Sequence, residues 1–344
     1  MRVADSWIRY VFVTISKERT FMAEEIFPNL FREEIPLPQN PLKAINSYVI
    51  KDAGRFLMID TGMNRPECLQ AMEAYIKEIG VDLSRTDFFI THLHADHLGL
   101  VSELAQPSSK VYFNHPDSEV INDPRHWEEM ADIARMNGFP ESDILTAISR
   151  HPGKRYHARR PLPMTLLKEG DKMEIAGYSF VCIETPGHTR GHLCLYEPAK
   201  KLFFSGDHIL ESITPNISLW SEGDDPLKSY LQSLDKVSKY DVAHVLPGHR
   251  ELFTHHRRRI EELKKHHEIR NEEILSILRR GKQTAYKVAS MMTWDIDCDR
   301  WEEFPLPQQW FAGGEALAHL QYLQGIGRAK RELQNGKALF SLKE

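Results

Sequence analysis

The chain has 344 residues, a formal net charge of −5, and 41% hydrophobic against 27% charged residues, the proportions of an ordinary globular protein. It contains no run approaching the roughly 18 apolar residues of a membrane helix. Its four cysteines (Cys68, Cys182, Cys194, Cys298) are too few and too scattered for a disulfide scaffold or a zinc ribbon. That usage fits a reducing, cytoplasmic compartment, and the mild acidity argues against coating nucleic acid by bulk charge. The unusual count is 17 His, against 16 Phe and 11 Tyr.

Length alone gives a prior of about two domains. Residues 1–21 lack the longer apolar core and small-residue cleavage site of a signal peptide. The regular pattern begins only after Met22, so residues 1–21 read as an N-terminal extension. Asn46–Lys51 and Arg55–Asp60 then read as two strands around the turn Asp52–Gly54. In Pro66–Gly80, Leu69, Met72, Ile76 and Ile79 fall three and four apart, which predicts a helix with one apolar face that Gly80 ends. Phe88–Ile90 is a short buried strand. Strand, helix, strand predicts an α/β layered domain.

Residues 115–163 break that rhythm with six prolines, short helical pieces and the anchors Trp127 and Phe139. This segment reads as an insertion that forms a lid. Strands resume at Ser179–Glu184, Leu193–Tyr196, Leu202–Ser205 and Val242–Leu246. Beyond residue 254 helical periodicity takes over. Residues 255–344 carry 16 Lys and Arg against 13 Asp and Glu, a net +3 that leaves −8 for the remainder. The boundary therefore falls near 254, giving one domain over 22–254 and another over 255–344.

The segment Thr91-His92-Leu93-His94-Ala95-Asp96-His97 follows a strand directly. Residues two apart on an extended loop share a side, so His92 and His94 reach one cation, while Asp96 and His97 turn toward a second. Three later segments share one grammar: Thr185-Pro-Gly-His188, Ser205-Gly-Asp207 and Pro247-Gly-His249 each end a strand in a small-residue turn and present a ligand-type side chain. Strand ends at one edge of a sheet converge. Of the remaining histidines, His192 reads as a turn or supporting residue, and His208 points away from Asp207. His115, His126, His151 and His157 fall in the lid. Cys182 and Cys194 read as packing residues.

The set Asp60-Thr-Gly62, His92-x-His94-x-Asp96-His97, His188, Asp207 and His249 resembles the metallo-β-lactamase superfamily, in its glyoxalase II-like branch, over about residues 25–250. The resemblance implies a four-layer αβ/βα sandwich and two divalent metal ions. One ion would take His92, His94 and His188, the other Asp96, His97 and His249, with Asp207 bridging. Asp60 would hold the loop rather than ligate. The class B β-lactamases place Cys or Ser at the step held here by Asp207. The flavodiiron proteins have Glu where this chain has Ala95, together with a flavodoxin-like tail. Both readings recede.

Two such cations make hydroxide available at neutral pH and polarise a carbonyl or phosphoryl oxygen. Asp96 is the expected catalytic residue, ligating and orienting that nucleophile, and no covalent enzyme intermediate is needed. His-rich ligation suits zinc, though the same donors accept iron or manganese. The helices and closing hairpin after residue 254 resemble the winged-helix appendage of lactamase-β-like proteins, endoribonucleases among them. The run Arg257-Arg258-Arg259 is interleaved with glutamates and reads as a solvated helix face. The expected function is hydrolysis of a small ester or thioester. The alternatives are a phosphodiesterase acting on single-stranded RNA and a non-catalytic metal-binding module. A homodimer is compatible with either domain, and no membrane partner is expected.

Overall fold

The computed structural model describes residues 23–159, 163–219, 221–296, 298 and 300–343; the expected extension, residues 1–21, lies outside them. Seven strands form the first sheet in chain order: β1 (Glu24–Phe27), β2 (Leu30–Pro36), β3 (Ala44–Asp52), β4 (Arg55–Ile59), β5 (Thr86–Phe89), β6 (Val111–Asn114) and β7 (Met164–Leu167). The second sheet runs β12 (His244–Pro247), β11 (Leu202–Gly206), β10 (Leu193–Glu197), β9 (Tyr178–Glu184) and β8 (Lys172–Ile175).

Strand periodicity explains why the two sheets stack. Tyr48 pairs with Ile59 and Ile50 with Leu57, and these four face the second sheet, where Phe180, Cys182, Leu195 and Phe204 meet them. The alternating residues Val49 and Met58 face the opposite way with Phe88, onto α1 (Pro66–Ile79) through Cys68, Met72 and Tyr75. Pro66 opens α1. Gly80 closes it at φ 72° with its N–H on the Ile76 carbonyl, a left-handed stop that glycine adopts without a Cβ penalty.

The second sheet repeats the device. Cys194, Tyr196, Phe203 and Val245 turn outward onto α8 (Pro226–Val237) through Leu227, Tyr230 and Leu234. Helix, sheet, sheet, helix is the expected four-layer sandwich. Two single turns, α2 (Ala95–Leu98) and α3 (Val101–Leu104), lead away from the histidine-rich loop and join the core on the α1 side of the first sheet through Leu98, Val101 and Leu104.

The insertion is helical: α4 (His115–Asn122), α5 (His126–Met136), α6 (Glu141–Arg150) and α7 (Pro152–Arg155). The C-terminal region supplies α9 (His256–Leu278), α10 (Ala285–Ala289), α11 (Leu306–Gly325) and the hairpin β13 (Ala329–Gln334) to β14 (Lys337–Leu342). The sequence reading of a lid missed what lies beneath the insertion. Met130, Ala134, Phe139, Ile144 and Ile148 form one core with Trp310 of α11. Gly313 makes room for that contact, since a Cβ there would lie 2.1 Å from the Phe139 ring. Ile260, Leu263, Ile274, Leu317 and Phe340 join the core on the outer face of the second sheet. Among the described residues no helix is long and apolar enough to cross a membrane.

Candidate metal centre

The ends of β5, β9, β11 and β12 meet at one edge of the sandwich. His92 and His94 lie on the extended segment after β5, and α2 then carries Asp96 and His97 round one turn. His188 comes from the β9–β10 connection, Asp207 from the residue after β11, and His249 from two residues beyond β12. The seven predicted residues gather in two groups. His92, His94, His188 and Asp207 form one, and Asp96, His97 and His249 the other, with one donor atom from each within 4.8 Å of the rest of its group.

Asp207 faces both groups. Its Oδ2 lies 3.5 Å from His188 Nε2, and its Oδ1 lies 3.5 Å from both His97 Nε2 and His249 Nε2. His188 Nε2 stands 3.0 Å from His94 Nδ1, and Asp96 Oδ2 3.4 Å from His249 Nε2. His92 Nε2, His97 Nε2, His249 Nε2 and Asp207 Oδ1 are buried without a hydrogen-bond partner. Four such atoms aimed at one another are costly in a bare protein, and cations between them would satisfy all four. The donor set fits a pair of divalent ions.

Three of the rings are oriented through their other nitrogen. His97 Nδ1 donates to Asp60 Oδ2 at 2.7 Å, His188 Nδ1 to the Asn216 carbonyl at 2.8 Å, and His249 Nδ1 to the Ala44 carbonyl at 2.7 Å. Such partners fix tautomer and direction. Asp60 is held at φ 56° and also accepts from the Thr91 N–H at 2.9 Å, so it secures the loop as the sequence implied. His192 supports Asp207: its Nε2 accepts the Asp207 N–H at 3.1 Å while Nδ1 donates to Thr185 Oγ1 at 2.7 Å. His208 turns away into the protein and packs against the Tyr230 ring. At the His249 turn, Asn46 donates to the Pro247 and Arg250 carbonyls and Tyr48 donates to Pro247.

The two groups differ electrostatically. Burial first, then the neighbouring rings, push the His92 pKa well below its ordinary value, and burial and His188 bring His94 to about 3. Burial opposes charge on His249 too, but Asp207 and Asp96 outweigh it and raise its pKa to about 10. Asp60 and Asp207 do the same for His97. Burial would raise Asp96, yet His249 and His97 hold it at about 2.

Sequence reasoning missed Asp117 at the start of α4. It is wholly buried and accepts from the Leu93 N–H (3.0 Å), Thr189 Oγ1 (2.8 Å) and the Gly191 N–H (2.8 Å). One carboxylate therefore ties the His92–His94 segment to the His188 turn. Gly191 is obligatory there, because a Cβ would lie 1.6 Å from Asn114 Oδ1. No spacing rule marks an aspartate that works through backbone donors.

A sandwich with paired His and Asp donor groups at one sheet edge defines a class of metal-dependent hydrolases. Residues 41–249 match the family model described as the metallo-beta-lactamase superfamily. The chain belongs to that superfamily and is a metal-dependent hydrolase.

The atrochrysone carboxyl ACP thioesterase of Emericella nidulans is 23% identical over 235 residues, covering 67% of this chain and 58% of that protein. The chain thus spans less than two thirds of that relative. The human acyl-coenzyme A thioesterase MBLAC2 is 23% identical over 221 residues, covering 60% and 74%. Among solved structures, a metallo-beta-lactamase family protein from Thermus thermophilus aligns over 92% of this chain and 99% of its own, at a TM-score of 0.78 and 27% identity. A beta-lactamase domain protein from Burkholderia ambifaria aligns over 93% and 94%, at 0.75 and 24%. Both alignments extend well beyond residues 41–249.

Proposed function

We propose that the chain hydrolyses a small thioester at a centre of two divalent ions, zinc by preference. His92, His94 and His188 would hold one ion, Asp96, His97 and His249 the other, and Asp207 both. The observation that carries this reading is the pair of donor groups sharing the Asp207 carboxylate. The bound ions would supply a strong oxygen nucleophile at neutral pH and polarise the scissile carbonyl. Asp96 would also orient the attacking water, whose proton passes to the departing thiolate. Asp60, Asn216 and Ala44 keep the ring nitrogens of His97, His188 and His249 aimed inward.

Three of the chain's own nucleophiles are engaged or hard to ionise. Thr91 Oγ1 is engaged by Asp60 at 2.9 Å, and burial raises the Cys68 thiol to about 11 and Cys182 to about 12. Attack by a metal-held oxygen nucleophile would need no acyl-enzyme. The thioester class draws on the names of the two thioesterase relatives. We further propose that 22–254 forms the catalytic domain and 255–344 a winged-helix-like domain packed on it.

The test is a substrate panel on protein loaded with zinc, iron or manganese. An acyl thioester should turn over fastest, ahead of an ester, a lactone and single-stranded RNA, and Asp96→Asn should lower that rate by about 10²–10⁴-fold. Faster cleavage of RNA, or an acyl-enzyme trapped in a single turnover, would contradict the proposal.

A further inference from the structure

The irregular segment from Asp207 to Leu219 carries two components of the candidate centre: the shared carboxylate, and the Asn216 carbonyl on which the His188 ring is seated. An irregular segment of this length has no ladder of its own to hold it, so its backbone groups need partners from elsewhere. Several of those partners come from beyond residue 254. Arg259 of α9 donates from Nε to the Leu210 carbonyl at 2.7 Å and from Nη2 to the Ile213 carbonyl at 2.9 Å. From α11, the Gly314 carbonyl accepts the Leu219 N–H at 3.1 Å. Glu315 Oε2 lies 3.4 Å from Asn216 Nδ2, and its other oxygen lies 3.3 Å from Arg270 Nη2.

Arg259 departs from the sequence reading of the basic run as a solvated face. Its side chain is 13% exposed, whereas that of Arg258 is 77% exposed and meets Glu262 alone among the described ion pairs. Arg259 has turned inward, because a planar guanidinium can satisfy two carbonyls of one loop at once. Arg270, which balances Glu315, is itself fixed by Glu273, the Thr293 carbonyl and the Trp294 ring. The support is therefore rigid on its far side as well.

We infer that the C-terminal helices form the outer wall of the metal centre, with Arg259 and Glu315 as positioning residues that fix the Asp207–Leu219 segment and, through Asn216, the direction of His188. The inference rests on the metal-centre reading proposed above. It gives the C-terminal region a task in this chain distinct from holding nucleic acid or a second subunit. Arg259 lies one layer outside the groups that touch the rings, so its loss should act on ion affinity and geometry. Removal of partners outside the ligand set typically costs 10–100-fold in affinity or activity.

The experiment titrates full-length metal-free protein with cobalt(II), reading affinity and visible absorption, with thermal unfolding of the metal-free protein followed in parallel. Arg259→Ala should weaken cobalt binding by about tenfold or more and alter the absorption bands of the bound ion. Arg259→Lys keeps one donor and should fall between it and the parent. Glu315→Gln should shift the bands in the same sense, and Arg258→Ala should match the parent. A merely structural role predicts lower unfolding temperatures with the parent's spectrum and affinity in every folded variant, which would overturn the inference. If Arg259→Ala does not fold, the Arg259→Lys and Glu315→Gln spectra decide alone. Failure of the parent to bind cobalt at all would instead overturn the metal-centre reading and, with it, this inference.

Discussion

At the scale of single residues, the centre depends as much on what orients the donors as on the donors themselves. Asp117 is the clearest case, since its carboxylate gathers three donors from the two segments that bear His92, His94 and His188. Asp117→Ala leaves those donors buried and unpaired at about 1–3 kcal/mol for each group left unsatisfied. The expected outcome is a lower unfolding temperature together with weaker metal retention on dialysis, while Asp117→Asn, which keeps one acceptor oxygen, loses less of both. Gly248 makes a second residue-scale test. A Cβ there would lie 2.6 Å from Asp207 Oδ1 and 2.9 Å from His97 Cε1, so Gly248→Ala forces the shared carboxylate aside. Bound metal measured per chain should fall from two toward one, and a variant that retained both ions at full activity would contradict the placement of Asp207.

The same residues show what a sequence reveals. The His-x-His-x-Asp-His run, His188, Asp207 and His249 were legible because donor chemistry is confined to few residue types, and each follows a strand, the last three through a small-residue turn. Asp117, Asn216 and Arg259 were not legible. They act on backbone groups far away in the chain, and any acid, amide or cation could do so anywhere in a sequence. Arg259 was misread for that reason: its neighbours are solvated, and only the loop it grips distinguishes it.

At the scale of elements, seven strands were legible as short apolar runs beside turns, with observed ends within two residues of those expected, whereas β1, β2, β6, β7 and β8 were not read. One strand breaks the pattern. Glu33 of β2 lies on the face it shares with Ile35, turned toward α1, wholly buried and with neither oxygen hydrogen-bonded among the described residues. Burial, and then the charge of Glu78, raise its pKa well above the ordinary carboxylate value. An acid whose folded pKa is raised contributes stability that is complete below its unfolded pKa, about 4.3, and lost as pH climbs through the folded value. Glu33→Gln removes that loss. Denaturant unfolding should find variant and parent similar near pH 4 and the variant more stable by about 1–3 kcal/mol at pH 9. Stability curves that stay parallel across that range would show that the Glu33 pKa does not change on folding, against the raised value.

At the scale of the whole molecule, the sandwich, the helical insertion and the C-terminal helices interlock around one edge. The insertion packs on Trp310, while α9 and α11 hold the segment that follows Asp207. The charge difference on either side of residue 254 was legible in the sequence, but the shared core was not, because apolar residues carry no label for the partner they will meet. In the proposed centre, seven side chains from four strand ends hold two ions with one carboxylate between them. An anomalous-difference map from crystals of the zinc-loaded protein tests it most directly. Two peaks are expected, one about 2.0–2.1 Å from His92 Nε2, His94 Nδ1 and His188 Nε2 and the other at like distance from His97 Nε2, His249 Nε2 and an Asp96 carboxylate oxygen, with Asp207 between them. A single peak, or peaks away from these residues, would contradict it.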